Sequence, residues 1–260
     1  MCYDDNARPP VPPGGAAGTA HGADLVLAAS DGNRFAAYLA TPAAAATAQV
    51  LILPDVRGLH QFYKELALRF AETGIATIAM DYFGRTAGVG ARDESFEFMP
   101  HVQQLTLSTV FADAAASLDH LRTQAGAGLA SFTMGFCLGG TLSFLCGTED
   151  LGLAGVVGFY AGMSRNMDGR GTLLERASEI HIPALGLFGG ADQGIPAAQV
   201  EALDQALDST GVAHEIVIYP GAPHSFFDRR ATEFAEASAD AWTQTLRFIA
   251  AHAGSLAATA

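Results

Sequence analysis

The feature of this 260-residue sequence that most restricts its fold is a series of short apolar segments alternating with helical patterns. Each segment, taken as a strand, is apolar on both faces. The segments are Val50–Leu53, Ile75–Met80, Leu129–Met134, Gly155–Tyr160, Ala184–Phe188 and His214–Tyr219. The helical patterns lie near Phe62–Thr73, Leu107–Gln124, Leu138–Cys146, Pro196–Ser209 and Arg230–His252. Buried strands alternating with helices predict an α/β fold with a mostly parallel central sheet and helices on both faces.

The N-terminal part of the sequence does not show this alternation of strands and helices. Two strand-like runs, Ala23–Ala29 and Arg34–Thr41, flank the turn-forming residues Ser30-Asp31-Gly32-Asn33, which predicts a hairpin at an antiparallel edge. Residues 1–22 contain the run Arg8-Pro9-Pro10-Val11-Pro12-Pro13. We therefore expect an extended, Pro-rich segment over 1–22, which packs on the body or stays loose, and a single catalytic domain over 23–260.

Composition excludes several classes of partner. With 14 basic and 27 acidic residues, the formal net charge is −13, which argues against binding to nucleic acid or to anionic membranes. No apolar run approaches 18 residues and the N-terminus does not look like a signal peptide, so we expect a cytoplasmic protein, either a monomer or a small homo-oligomer. The spacing of the eight histidines indicates no metal site, and no glycine loop indicates a phosphate cofactor. The expected partner is a small molecule, with no cofactor.

A sharp turn around Cys137 points to chemistry. The stretch Gly135-Phe136-Cys137-Leu138-Gly139-Gly140 follows an apolar run and opens into a helical pattern, so it predicts strand, turn and helix. This is the context of a nucleophile elbow, with Cys where Ser is commoner. A helix N-terminus favours a thiolate. The alternative is a structural Cys in a glycine-rich turn. Of the other cysteines, Cys146 lies in an apolar stretch and is expected in the core, and Cys2 is terminal.

Two later strands end in residues that could complete a catalytic triad. The run Leu185–Gly190 leads to Asp192, and the run Ile216–Gly221 leads to His224. Nucleophile, acid and histidine, each following a strand, is the chain order of α/β-hydrolases. Asp192 alone could be a turn former, and His224 alone an ordinary loop residue. Together they predict a thiol that attacks an acyl carbon, an imidazole that takes its proton and a carboxylate that orients the ring.

These motifs resemble those of the dienelactone hydrolases (carboxymethylenebutenolidases), which have the α/β-hydrolase fold. The resemblance runs from about Asp24 to about Ala251 and rests on G-F-C-L-G-G, G-G-A-D-Q-G-I-P and P-G-A-P-H-S-F-F, with Leu53–Leu59 and Asp81–Arg85 in support. It implies a carboxylic ester hydrolase with Cys137, Asp192 and His224 as the triad. It also implies an oxyanion hole made by the backbone N–H groups of Leu138 and Val56.

The sequence departs from the family pattern at the position of the thiol-activating acid. The family typically carries a Glu after its first core strand, whereas the matching residue here is Asp55, one methylene shorter. Asp55 therefore either activates the thiol with a different reach or caps and orients its own loop.

A second departure concerns the two arginines with which the family binds the substrate carboxylate. Arg85 matches the first, but the second falls at Asp228, an acid, with Arg229 immediately after it. Either a neighbouring Arg takes over or the clamp is weakened. Arg57, beside the expected oxyanion hole, could supply the missing charge or be an ordinary solvated Arg.

The walls of the site are less defined by the sequence. Gly84–Pro100 is the one sizeable irregular segment that we expect after residue 49, and it is a candidate lid or substrate wall. Tyr160, Phe226 and Phe227 lie near the site loops and either pack in the core or contact substrate. The sequence thus predicts a Cys-dependent hydrolase of lactones or enol esters. The alternatives are a broader carboxylesterase or thioesterase without a carboxylate clamp and a non-catalytic small-molecule-binding thiol protein.

Overall fold

The computed structural model describes residues 6–15 and 18–254, so Cys2 lies outside the described residues. It contains one eight-stranded sheet, ordered β1-β2-β4-β3-β5-β6-β7-β8. The strands are β1 (Ala20–Ala28), β2 (Arg34–Pro42), β3 (Ala48–Leu53), β4 (Ile75–Met80), β5 (Ser131–Phe136), β6 (Gly155–Phe159), β7 (Ala184–Gly189) and β8 (His214–Tyr219). Neighbouring strands from β4 to β8 pair in parallel, which confirms the predicted α/β sheet.

Helices follow most of the strands, as the alternating pattern predicts. They are α1 (Gln61–Glu72), α2 (Gly84–Ala87), α3 (Met99–Val102), α4 (Leu107–Ala125), α5 (Leu138–Cys146), α6 (Leu173–Arg176), α7 (Ala197–Thr210) and α8 (Ala235–His252). Helix α8 begins at Ala235 and not at Arg230 as predicted, because residues 224–234 form successive turns. None of the helices in the described part of the chain is long and apolar enough to cross a membrane.

The core lies on both faces of the sheet. Every residue of β3, β4, β5, β6 and β7 is buried, which agrees with strands that are apolar throughout. Strand β8 differs, because it is the edge strand and its residues are mostly half-buried or exposed. Cys146 is fully buried on α5, and burial raises the pKa of its thiol to about 12, as expected for a core cysteine.

The N-terminal hairpin is antiparallel, and β2 also pairs antiparallel with β4, which confirms the predicted edge. Strand β1 begins at Ala20, inside the range predicted as an extended segment. Before it, the Pro-rich residues pack on the body. Pro9 and Pro12 are buried, and the indole Nε1 of Trp242 on α8 donates to the carbonyl of Pro10 at 2.9 Å.

Three sizeable irregular segments, and not the single one predicted, follow the sheet strands, over residues 84–100, 160–172 and 220–234. Gly84–Pro100 includes the short helix α2 and the start of α3. The second lies between β6 and α6, over residues 160–172. Residues 164–172 are mostly polar and contain two glycines, a composition typical of a loop, but the sequence analysis assigned this segment no role in the site. This segment forms part of the site described next.

Candidate active site

Cys137 lies on a strained turn between β5 and α5. Its backbone has φ 55° and ψ −115°, a conformation that L-residues rarely adopt. A Cβ on Gly135 would collide with the carbonyl of Gly139, and one on Gly139 would collide with the carbonyls of Leu53 and Pro54. The glycines of the motif therefore let the helix start directly against the strand ends, with Cys137 at the tip of the turn.

Asp192 and His224 form a hydrogen-bonded pair on the loops after β7 and β8. The Nδ1 of His224 lies 2.6 Å from Oδ2 of Asp192. The Asp192 side chain is only 2% exposed and also accepts from the amide of Gly194 at 2.8 Å, whereas the His224 side chain is 29% exposed. The carboxylate thus fixes the imidazole through Nδ1 and leaves Nε2 as the nitrogen available for proton transfer.

Cys137 and His224 line the same cleft, which has a volume of about 270 Å³. Leu138 and Val56 also line it, and Leu138 is the first residue of α5, so its amide has no acceptor within the helix. The cleft therefore brings together a thiol, an imidazole held by a buried carboxylate, and the two residues predicted to supply oxyanion donors. Such a set can carry out acyl transfer. The described residues include no cluster that could hold a metal ion.

Comparison with known proteins assigns the chain to a family. The model of the dienelactone hydrolase family matches residues 35–253. The chain belongs to the dienelactone hydrolase family. It is 28% identical over 234 residues to a Salmonella typhimurium protein named "Putative carboxymethylenebutenolidase", covering 86% of each chain. A Synechocystis protein of the same name is 30% identical over 227 residues, covering 84% of this chain and 92% of its own.

Solved structures of this hydrolase family share the fold. The crystal structure of a "Putative Dienelactone Hydrolase" from Klebsiella pneumoniae superposes with a TM-score of 0.79 at 24% sequence identity, covering 89% of this chain and 99% of the other. The α/β-hydrolase fold predicted from the order of nucleophile, acid and histidine is thereby confirmed.

Asp55, the counterpart of the family's activating Glu, is held within its own loop. Its side chain is 1% exposed, and Oδ1 accepts from the amide of Arg57 at 2.9 Å and lies 3.6 Å from Nε2 of His60. Its backbone amide donates to the hydroxyl of Tyr63 at 3.1 Å. Asp55 is not among the residues that line the cleft. Oδ1 of Asp55 thus orients its own loop, whereas Oδ2 is buried with no hydrogen-bond partner among the described residues, and activation of the thiol by Asp55 stays a prediction.

Arg85 and Arg57, two of the arginines expected to bind substrate, do not line the cleft either. The Arg85 guanidinium turns toward the hairpin and pairs with Asp31 at 2.5 Å and with Asp113 at 2.8 Å. Arg57 is buried and donates to the carbonyl of Glu94 at 3.2 Å. Asp31 and Asp113 are distant in sequence from Arg85, so the motif around Arg85 carried no sign that these acids would engage its guanidinium.

The aromatic candidates are buried behind the histidine. Tyr160 has a positive φ of 36°, its ring lies 4.8 Å from that of His224, and its hydroxyl donates to Asp228 at 2.8 Å. Phe226 is fully buried against Tyr160 and Tyr219. Neither Tyr160 nor Phe226 lines the cleft, so their contacts support His224 from behind. Asp228, which stands at the position of the family's second Arg, anchors Tyr160.

Arg229 is exposed and borders a second, more open cleft, which shares Gly194 and His224 with the first. The residue that sequence analysis missed is Arg165, from the irregular segment after β6, which lines the catalytic cleft together with Ser164 and Gln199. No motif marks Arg165. The available signal was the mostly polar, glycine-containing run of residues 164–172 between β6 and α6, which indicates a loop but not a site.

Proposed function

We propose that this protein hydrolyses carboxylic esters through Cys137, with lactones or enol esters as its preferred substrates. The observation that carries the proposal is the shared cleft in which Cys137, on a strained elbow, faces the same space as a His224 ring held by Asp192. Membership of the dienelactone hydrolase family supports the substrate class.

In the first half of the reaction, the Cys137 sulfur attacks the carbonyl carbon and His224 takes the thiol proton. The resulting oxyanion accepts hydrogen bonds from the amides of Leu138 and Val56. One such donor is worth roughly 3–4 kcal/mol of barrier. As the C–O bond breaks, His224 returns the proton to the leaving oxygen, and an acyl-thioester remains on Cys137.

In the second half, a water molecule attacks the thioester carbonyl while His224 takes its proton. The C–S bond breaks, the thiolate of Cys137 is reprotonated by His224, and the carboxylic acid leaves. Asp192 stays ionised throughout and stabilises the imidazolium form of His224. For a lactone, the product is a single chain that carries both the new carboxylate and the former leaving oxygen.

A thiol nucleophile suits an activated ester better than an alkyl ester. Thiolate is a good leaving group, so the tetrahedral intermediate partitions back to substrate unless the ester oxygen leaves with comparable ease. An enol ester meets this condition because its oxygen departs as a stabilised enolate. We therefore expect poor turnover of unactivated alkyl esters.

A broader carboxylesterase or thioesterase is the second candidate, and a specific observation favours it. Neither of the family's usual positions offers the cleft a carboxylate-binding charge, because Arg85 is paired with Asp31 and Asp113 and the second position holds the acid Asp228. Under this alternative, neutral activated esters and thioesters are turned over as well as any carboxylate-bearing substrate.

The test is the turnover of a dienelactone by the purified wild type beside Cys137→Ala, with an unactivated alkyl ester as a second substrate. We expect dienelactone hydrolysis by the wild type alone and little hydrolysis of the alkyl ester. Equal activity of both proteins would refute the role of the thiol. Activity on neutral esters without activity on the dienelactone would favour the broader esterase.

A further inference from the structure

The catalytic cleft carries an uncompensated positive charge. Of the residues that line it, Arg165 is the only permanently charged one, and the lining includes no Asp or Glu. Arg165 is exposed, and within residues 6–15 and 18–254 it has no ion pair. Arg85, Arg92, Arg176 and Arg230, by contrast, all pair with carboxylates. The protein has a net charge of −13, so an Arg without an ion pair beside Cys137 makes the cleft a positively charged site in an acidic molecule.

The segment that presents Arg165 is anchored on both sides of it. The hydroxyl of Thr141, on the nucleophile's own helix, donates to the carbonyl of Gly162 at 2.6 Å. The Gln199 amide on α7 donates to the hydroxyl of Ser164 at 2.8 Å. Further along, Asp168 accepts from the amide of Leu107 at the start of α4 at 2.8 Å. The backbone around Arg165 is therefore tied to three helices, which limits the positions its guanidinium can take.

We infer that Arg165 is the residue that selects carboxylate-bearing esters, in place of the arginines at the family's usual positions. This inference rests on the proposed function of the same cleft. A guanidinium binds a carboxylate through two parallel N–H···O bonds, and Arg165 has no competing acid in the cleft. The acidic surface repels a small anion at long range, so a cation in the cleft is needed to favour its binding.

The size of the cleft limits the substrate. A cleft of about 270 Å³ lies just below the usual range of about 300–1,000 Å³ for small-molecule sites, so it admits a compact ester. In so small a space, a carboxylate a few bonds from the ester carbonyl comes close to Arg165 when the carbonyl carbon is at Cys137. The predicted ligand is a short-chain ester or lactone with one carboxylate on the chain.

The first arm of the test uses an ester pair of similar size, neutral p-nitrophenyl butyrate and anionic mono-p-nitrophenyl succinate. We expect Arg165→Gln to lower kcat/KM for the anionic ester about tenfold to a hundredfold, the value of a charge-assisted contact, and to change the neutral ester less than about twofold. Arg34→Gln is the matched control. It removes one exposed positive charge that does not line the cleft, and both esters should respond alike.

The second arm does not need turnover. Iodoacetate and iodoacetamide both alkylate Cys137 with release of iodide and differ by one carboxylate. Peptide mapping gives the rate of alkylation at Cys137 for each reagent. We expect the rate with iodoacetate divided by the rate with iodoacetamide to fall about fivefold or more in Arg165→Gln. The same ratio should stay unchanged in Arg34→Gln, because only Arg165→Gln removes a charge-assisted contact.

The outcomes separate the two proposals. Hydrolysis of neither ester, with a rate ratio that still depends on Arg165, would overturn the proposed function and leave the anion site standing. A second outcome would overturn this inference alone. In it, hydrolysis depends on Cys137, but Arg165→Gln changes neither the preference for the anionic ester nor the iodoacetate-to-iodoacetamide rate ratio. The inference would also be overturned if Arg229→Gln, and not Arg165→Gln, lost the preference for the anionic ester over the neutral one. That result would place the substrate carboxylate in the second cleft.

Discussion

Three glycines next to Cys137 set the backbone geometry of the site. Gly135 and Gly139 let β5, α5 and the end of β3 approach within backbone contact, and Gly140 lies against the carbonyl of Phe159 at the end of β6. The strain at Cys137, with φ 55°, is maintained by this packing. Residue-level constraints of this kind are visible in the sequence, because few residue types other than Gly satisfy them.

Replacing Gly139 with Ala should therefore destabilise the whole fold. The new Cβ would meet the carbonyl oxygens of Leu53 and Pro54, which are backbone atoms and cannot swing away. We expect the free energy of unfolding in urea to fall by about 3 kcal/mol or more. Gly128→Ala is the control, because no atom lies within 4 Å of its Cβ position, and it should change stability by less than about 0.5 kcal/mol. Equal urea midpoints for the two variants would contradict this account.

At the scale of elements, the regular structure could be predicted and the loops could not. Ile75–Met80, His214–Tyr219 and Leu138–Cys146 have the predicted bounds, because apolar runs bounded by turns leave little choice of register. The segment Gly84–Pro100, by contrast, was expected to form the substrate wall but contributes nothing to the cleft lining. Its position depends on the buried pair of Arg92 with Asp81 and on the hydrogen bond from Arg57 to the carbonyl of Glu94, contacts that no local pattern encodes.

The ion pair of Arg92 with Asp81 holds that segment against the end of β4. Arg92 Nη2 lies 2.7 Å from Asp81 Oδ2, and both side chains are nearly inaccessible. Because Arg92→Ala leaves a buried carboxylate without its partner, we expect the free energy of unfolding to fall by about 3–5 kcal/mol near pH 8. Arg69→Ala, which removes a more exposed pair with Glu72, should cost less than about 1 kcal/mol.

The loss of stability in Arg92→Ala should also depend on pH. Burial raises the pKa of Asp81 even beside Arg92, and removing the cation raises it further. The folded variant then binds a proton that the unfolded chain does not, so its stability relative to the wild type increases as pH falls toward the ordinary Asp pKa. Thermal unfolding between pH 8 and pH 4 should show the gap in Tm narrowing. A gap that widens in acid would be incompatible with a buried, unpaired Asp81.

On the scale of the whole molecule, the meeting of Cys137, Asp192 and His224 at one edge of the sheet could be predicted, whereas the presence of Arg165 in the cleft could not. Cys137, Asp192 and His224 each follow a strand of the same parallel sheet, so topology alone predicts that they meet at one edge. Arg165 reaches the cleft through a loop anchored to α4, α5 and α7 by side-chain bonds. Those bonds join parts of the chain far apart in sequence, and a single sequence gives no sign of them.

The N-terminal segment affects the whole molecule in a way that the sequence left open. Deletion of residues 1–13 removes the buried Pro9 and Pro12 and the acceptor of the Trp242 indole. We expect the free energy of unfolding to fall by about 2–3 kcal/mol, and Tm by roughly 5–10 °C, with kcat unchanged. A full-length Trp242→Phe variant should lose only the hydrogen bond, about 1 kcal/mol. Unaltered Tm after the deletion would show that the segment contributes no packing.

The most direct test of the central claim, that Cys137 carries the acyl group, is mass spectrometry of the acid-quenched enzyme during hydrolysis of an activated ester. His224→Gln should slow release of the acyl group and increase the trapped fraction. We predict a mass increase equal to the acyl group on the peptide that contains Cys137, together with loss of hydrolysis in Cys137→Ala. An acyl group on another residue, or hydrolysis that continues in Cys137→Ala, would contradict the account.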